Sequence, residues 1–449
     1  MQKLREIGRA LQEVLITAAE RLARPSGFVQ RASKMTGPRF VQSMVLGSLQ
    51  TPVLHLRDLA QTAMLTGVSI TNQGLDQRFS EASARLMRGV LDAVLSTVLS
   101  ALLGESEQST EQEAGAATPT LLERFTHVEL IDSTVIALPP ELAEAFPGCN
   151  STQGSTAAMK LDVLFDIRTG QLRGPEIRPG RAHDSTAAIA QTLPAPGALR
   201  IQDLGYFALK RLKQISDAGA YWLTRAKGGI RIFDAQRQPI DLLQLLSHSD
   251  TLDCPVFIGR EKLPARLLAY AVPESVAQER RRSLARKGRK HSRTPSAEAR
   301  ALCAWSILLT NVPSEMLSLQ EARALLGARW QIELLFKLWK SDLQIDSCTS
   351  AKPWRVVTEI YAKLIAMTLQ HWILQAGVWQ IPDRSLRKAA VAVRTYALVL
   401  LRALARPTEL LSVLQTMVDR MQVGCRLERR RGHPNVYQTL TQTNTVALA

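Results

Sequence analysis

The hydrophobic period of this chain changes from about 3.6 residues to two near residue 120, and returns to the helical value near Ser318. A chain patterned in this way has to build a sheet between two helical regions. Before the change, Leu54–Thr66 and Ser69–Leu103 carry apolar residues at helical spacing, with Gly67 between them as a helix stop. The stretch from Leu56 to Phe79 reads as helix, glycine turn, helix; it suits a helix-turn-helix and a packed helical hairpin equally. Residues 105–119 are acidic, rich in Ser, Gln and Ala, and without pattern, which makes them a linker.

Beyond the linker, Val128–Asp132 reads as a strand ending in a carboxylate, and Met159–Ile167 and Leu172–Pro179 as the next two strands. Asp184 is expected to cap a helix reaching Leu193, and Leu199–Asp203 to form another strand ending in Asp. Phe207–Asp217 then reads as a helix and Ala220–Thr224 as a strand. The order β-β-β-α-β-α-β is that of a ribonuclease H-like α/β core. Residues 229–310 hold short strand-like runs, Ala301–Leu309 among them, and one segment of another kind. Glu279–Arg293 carries eight Lys or Arg against one acid and reads as a basic loop. A second basic run, Arg426–Arg431, lies near the end.

A formal charge of +16 points to an anionic partner. The five cysteines are widely spaced and never form a CxxC pair, so they read as free thiols in a reducing compartment, without a disulfide framework or a zinc site. The most apolar run, Ala389–Ala403, is broken by Arg394 and Arg402, and the N-terminus lacks a signal-peptide core. A cytoplasmic, nucleoid-associated protein with no membrane association is expected.

Glu333 lies on a segment, Arg329–Lys340, that is apolar over most of its circumference. At about 100° per residue, Arg329, Lys340, Glu333 and Lys337 fall at roughly 0°, 20°, 40° and 80°. Such a stripe is either an ordinary salt-bridge ladder or a site for something metal-bound and polyanionic. With Asp132 and Asp203 at strand ends, three carboxylates far apart in sequence could meet at one sheet edge. Oxygen ligands without His or Cys suit Mg2+ or Mn2+. Two such ions about 3.5–4 Å apart clamp the attacking and leaving oxygens of a phosphodiester. Asp162 and Asp166 share one strand face and are rival ligands; their mid-strand placement argues against them.

Three motifs in order give these residues a context. Leu130-Ile131-Asp132-Ser133-Thr134 leads towards Leu138-Pro139, Gln202-Asp203-Leu204-Gly205-Tyr206-Phe207 follows, and Arg329, Glu333 and Lys340 come last. From about residue 28 to 370 the chain resembles the DDE transposases of the bacterial insertion sequence 4 family, with their Tyr-Arg-Glu-Lys signature. Leu326 stands where that signature has Tyr, a residue that contacts a terminal phosphate of the element. Trp305 matches a strand Trp that stacks on a flipped base in the family, although a core role would serve such a strand as well. His183-Asp184 resembles a family pair, and a helix cap is the simpler reading.

The resemblance implies a transposase with Asp132, Asp203 and Glu333 as catalytic residues holding two Mg2+ (or Mn2+) ions. It implies DNA contacts from Arg329, Lys337, Lys340 and Trp305, joined by Arg280, Arg281, Arg282, Lys287, Arg289 and Lys290 of the basic segment. The expected organisation is an all-helical end-binding domain over 1–104 and the linker over 105–119. The catalytic core over 120–228 and 311–375 is interrupted by the β-rich insertion over 229–310, and a helical dimerisation region covers 376–449. The partners are double-stranded DNA, both terminal inverted repeats and target, and a second copy in the synaptic complex. A hairpin intermediate is implied. The alternative is a catalytically inactive, transposase-derived DNA-binding protein or inhibitor of transposition; an unrelated metal-dependent nuclease comes third.

Overall fold

The computed structural model describes residues 1–105, 120–149, 156–290, 292, 294–379, 381 and 385–426. The linker past its first residue, and the basic run beyond Arg426, lie outside these.

Among the described residues one mixed sheet forms from β1 (Val128–Leu138), β2 (Ala157–Asp166), β3 (Leu172–Pro179), β4 (Leu199–Gln202), β5 (Tyr221–Arg225), β6 (Ile232–Phe233), β7 (Thr251–Ile258), β8 (Leu263–Ala271) and β9 (Trp305–Thr310). Their order is β3-β2-β1-β4-β5-β9-β8-β7-β6. β1, β2 and β3 form an antiparallel meander, while β4 and β5 run parallel to β1. Parallel neighbours need crossovers, supplied here by the turn Ala188–Gln191 and the helix Leu209–Asp217. This half has the expected strand and helix order. β9 adds antiparallel to β5, and β8, β7 and β6 follow, so the insertion continues the same sheet.

The short strand β4 is buried throughout, including Arg200. Its guanidinium donates to Glu129 Oε2 at 2.6 Å, and both side chains are 1% exposed. Removing either partner of such a pair costs about 3–5 kcal/mol, so the pair holds β4 beside β1.

Three expectations are corrected. The basic segment is a helix, Glu274–Lys290, rather than a loop. Arg, Lys, Gln and Ala all favour helix, and the like charges spread into solvent while Ala277 is buried. The strand expected from Ala301 starts at Trp305, after a helical turn over Leu302–Ala304. The helix expected over Ser69–Leu103 is broken: Asn72–Asp76 is a single turn capped by Thr71, and Glu81–Glu105 starts afresh.

The helix Pro353–Gly377 is buried along nearly its whole length. It packs on Gly37–Gln50, Glu81–Glu105 and Pro407–Gly424, and one apolar core runs from the N-terminal helices through the sheet to the C-terminal ones. Polar ties cross this junction: Ser83 Oγ and Thr358 Oγ1 stand 2.9 Å apart, and Arg355 Nη2 donates to Leu54 O at 3.1 Å. A second core gathers Leu212 and Ile215 against β5, β7, β8 and β9. No described helix is long and apolar enough to cross a membrane.

Candidate active site

β1 and β4 run parallel with Ile131 opposite Gln202, so Asp132 and Asp203 come next on each where β4 stops. Asp132 itself does not end a strand, because β1 continues to Leu138 against β2. What ends at Ile131 is the pairing with β4, and that opens the edge. Glu333 comes from the helix Trp330–Ser341, which buries Ile332, Phe336 and Trp339 and leaves Lys337 exposed. Lys340 Nζ donates to Val135 O at 3.1 Å and ties this helix to β1.

One cleft of about 500 Å³ is lined by Asp132, Asp203, Glu333, Arg329, Lys337 and Lys340, together with Ser133, Thr134, Phe336 and Ser341. All three expected carboxylates and all three cations of the helical stripe meet there. Arg329 bridges two of the acids, donating to Asp132 Oδ2 at 2.9 Å and to Glu333 Oε1 at 2.7 Å. Burial raises the Asp132 carboxyl above its ordinary range, the Ser133 amide and Arg329 oppose this, and the charges of Asp203 and Glu333 push it up further.

That mutual repulsion in an all-oxygen site is what a hard divalent cation relieves. The donor set therefore fits Mg2+ or Mn2+. Among the described residues no three such side chains stand within reach of one ion, and the Arg329 guanidinium supplies the positive charge between two of them.

Other expected residues lie elsewhere. Trp305 is half-buried and does not line the cleft. It starts β9, two strands from β4, on the same sheet edge as Asp203. Arg280 donates to Trp305 O at 2.7 Å and to Ser306 Oγ at 3.0 Å, so it anchors the basic helix to this edge. Arg281 pairs with Glu274 within that helix, while Arg282, Lys287 and Arg289 are exposed; Lys290 sits in its last turn. Leu326 is half-buried against the main core.

Asp162 and Asp166 are both committed to protein partners. Asp162 accepts from Arg178 Nε at 2.8 Å and Tyr206 Oη at 3.0 Å; Asp166 accepts from His127 Nδ1 at 2.8 Å. Asp184 is not the helix cap expected of it, since His183 accepts from Ser185 N in that role. Its carboxylate accepts instead from Ser133 Oγ and Lys160 Nζ. No local pattern marks Lys160, whereas Gly205 and Tyr206 belong to the Asp203 motif.

Residues 124–369, more than half of the chain, match the transposase DDE domain. The chain belongs to the DDE transposases. It is 26% identical over 454 residues to the transposase for insertion sequence element IS231B of Bacillus thuringiensis subsp. berliner, covering 94% of this chain and 91% of that one. It is 28% identical over 376 residues to that for IS231F of B. thuringiensis subsp. israelensis, covering 78% and 76%. It is 24% identical over 397 residues to that for IS1151 of Clostridium perfringens, covering 83% and 81%. This transposase is thus an enzyme of DNA cleavage and strand transfer, with a ribonuclease H-like core and a need for a divalent metal ion.

Proposed function

We propose that this transposase moves an insertion sequence by cut-and-paste, with Asp132, Asp203 and Glu333 as its catalytic residues. The observation that carries this reading is their convergence, from two strands and a distant helix, in one cleft with Arg329, Lys337 and Lys340. The carboxylates would hold two Mg2+ (or Mn2+) ions, which supply an activated water and charge stabilisation for in-line displacement. Lys337, exposed at the cleft, holds a phosphate beside the scissile bond, and Arg329 takes another when it leaves its two acids. The 3′-hydroxyl freed at an end of the element is held in the same cleft for attack on target DNA.

The Arg329, Glu333 and Lys340 spacing supports a place in the insertion sequence 4 family, with Leu326 replacing the Tyr of its signature. Trp305, on the same edge as Asp203, would stack on an extruded base during a hairpin step. The exposed Arg282, Lys287 and Arg289 would track the duplex. The helices of 1–104 would recognise the terminal inverted repeats, and those of 376–449 would join two copies in the synaptic complex.

A labelled duplex carrying the element's end tests this. The wild type is expected to nick it only with Mg2+ or Mn2+. Asp132→Ala, Asp203→Ala and Glu333→Ala are each expected to abolish nicking while retaining end binding in a gel shift. Equal loss of binding and nicking would make the three structural. A wild type that binds ends and never cuts them would favour the inactive DNA-binding alternative.

A further inference from the structure

Asp203 lies past the last residue of β4, so pairing with β1 does not by itself fix its distance from Asp132. The carboxylate of Asp184 touches the chain next to each of them, at Ser133 and at Gly205. Its Oδ1 accepts from Ser133 Oγ at 3.2 Å and from Lys160 Nζ at 2.7 Å. Lys160, buried in β2, also donates to Ala182 O at 2.5 Å, which holds down the segment carrying Asp184. The other oxygen, Oδ2, lies against Gly205, where a side-chain carbon would come within 2.4 Å of it. A methyl group there would have to push the Asp184 carboxylate aside. Ser133 follows Asp132 directly, and Gly205 is two residues beyond Asp203. Tyr206, the next residue, donates to Asp162 Oδ1 on β2 at 3.0 Å. The segment leaving Asp132 is therefore hydrogen-bonded to Asp184, while the segment leaving Asp203 packs on Asp184 and is tied to Asp162 through Tyr206.

We propose that Asp184 is a positioning residue whose carboxylate, fastened to Ser133 and packed on Gly205, sets the separation of Asp132 and Asp203 and hence the affinity of the site for its divalent cation. The inference rests on the assignment of those two aspartates as metal ligands. A supporting residue of this kind typically changes metal affinity about 10- to 100-fold when removed.

The test uses the full chain bound to an end duplex. Mn2+ binding is measured by calorimetry, alongside the Mg2+ requirement for nicking, metal-free end binding and melting temperature. Asp184→Ala and Gly205→Ala are each expected to weaken Mn2+ binding and raise the Mg2+ requirement about tenfold or more, with end binding close to wild type. Gly205→Ala is expected to melt close to wild type and Asp184→Ala lower, because the latter leaves buried Lys160 without its carboxylate. Asp184→Asn keeps the acceptor and is expected to retain most of the affinity. The double variant Asp184→Ala/Gly205→Ala is expected to be no worse than Asp184→Ala, because the methyl group fills vacated space. Unchanged metal affinity in Asp184→Ala, or additive losses in the double variant, would overturn the proposal. If removing the partner of buried Lys160 unfolds the protein, Ser133→Ala carries the test, and an unaltered metal requirement there would overturn it equally. Failure of the ligand assignment reads differently: wild-type Mn2+ binding would then survive Asp132→Ala.

Discussion

Asp166 gathers four donors around one buried carboxylate. His127 Nδ1 and Thr169 Oγ1 reach Oδ2 at 2.8 and 2.7 Å, and the amides of Val128 and Arg168 reach Oδ1 at 3.1 and 2.9 Å. Burial pushes this acid upward, but the hydrogen bonds from His127, Thr169 and Val128 outweigh it and leave the pKa below its ordinary value. His127 is raised, chiefly by its bond to Asp166, against the effect of burial. A raised histidine contributes stability below its unfolded pKa of about 6.5 that is lost as pH rises through the folded value. The depressed aspartate contributes above about pH 4, and loses this as pH falls through its own folded value. The wild type is thus expected to melt lower at pH 8.5 than at pH 6, and His127→Gln to flatten that difference; equal slopes in a pH series of melting curves would dismiss the pair. The same residues show why the strand aspartates were only partly legible. Pattern placed Asp132, Asp162, Asp166 and Asp203 on strands, but what separates ligand from strut is a partner such as Tyr206, 44 positions from Asp162.

The Glu274–Lys290 helix shows the matching limit for elements. A run of like charges reads as a loop because it lacks an apolar stripe, yet a helix needs only a narrow foothold when its cations face water. Here the foothold is Ala277 and the two hydrogen bonds that Arg280 donates to Trp305 O and Ser306 Oγ. The helix Trp330–Ser341 was easier to read, since Arg329, Glu333, Lys337 and Lys340 make one narrow polar stripe on an otherwise apolar segment. Arg282→Ala/Lys287→Ala/Arg289→Ala is expected to lower the slope of log binding constant against log salt by up to about 0.9 for each phosphate these side chains neutralise. Melting temperature should hold, because these three are exposed. An unchanged slope in end-binding titrations would take the basic helix off the DNA path.

Across the whole molecule, the helical, sheet and helical thirds were legible from period alone, whereas the way they join was not. Pro353–Gly377 buries Glu359, Lys363, Gln370 and His371 along with its apolar residues. Glu359 accepts from Arg355 one turn earlier in the same helix, but the other partners come from outside it: Cys348 donates to Glu359, Lys363 donates to Gln344 O and Ser347 O, Gln370 donates to Ala390 O, and His371 meets Gly170 O. No local pattern encodes such pairings. Removing residues 1–105 would uncover the face of this helix that packs on Gly37–Gln50 and Glu81–Glu105. The remainder is expected to be soluble only poorly and to bind an apolar dye such as ANS; a shortened chain that melts cooperatively near the wild-type temperature would show that the helical parts fold apart.

That central helix also imposes an order on synthesis. The first 105 residues leave the ribosome long before the element they pack against, and at about 5–20 residues per second their apolar faces wait roughly 15–55 s for Gly377. During that interval they depend on chaperones or on one another. A gene copy interrupted anywhere before this helix is therefore expected to leave no folded fragment behind, so that a decaying element falls silent instead of producing a competitor for its own ends.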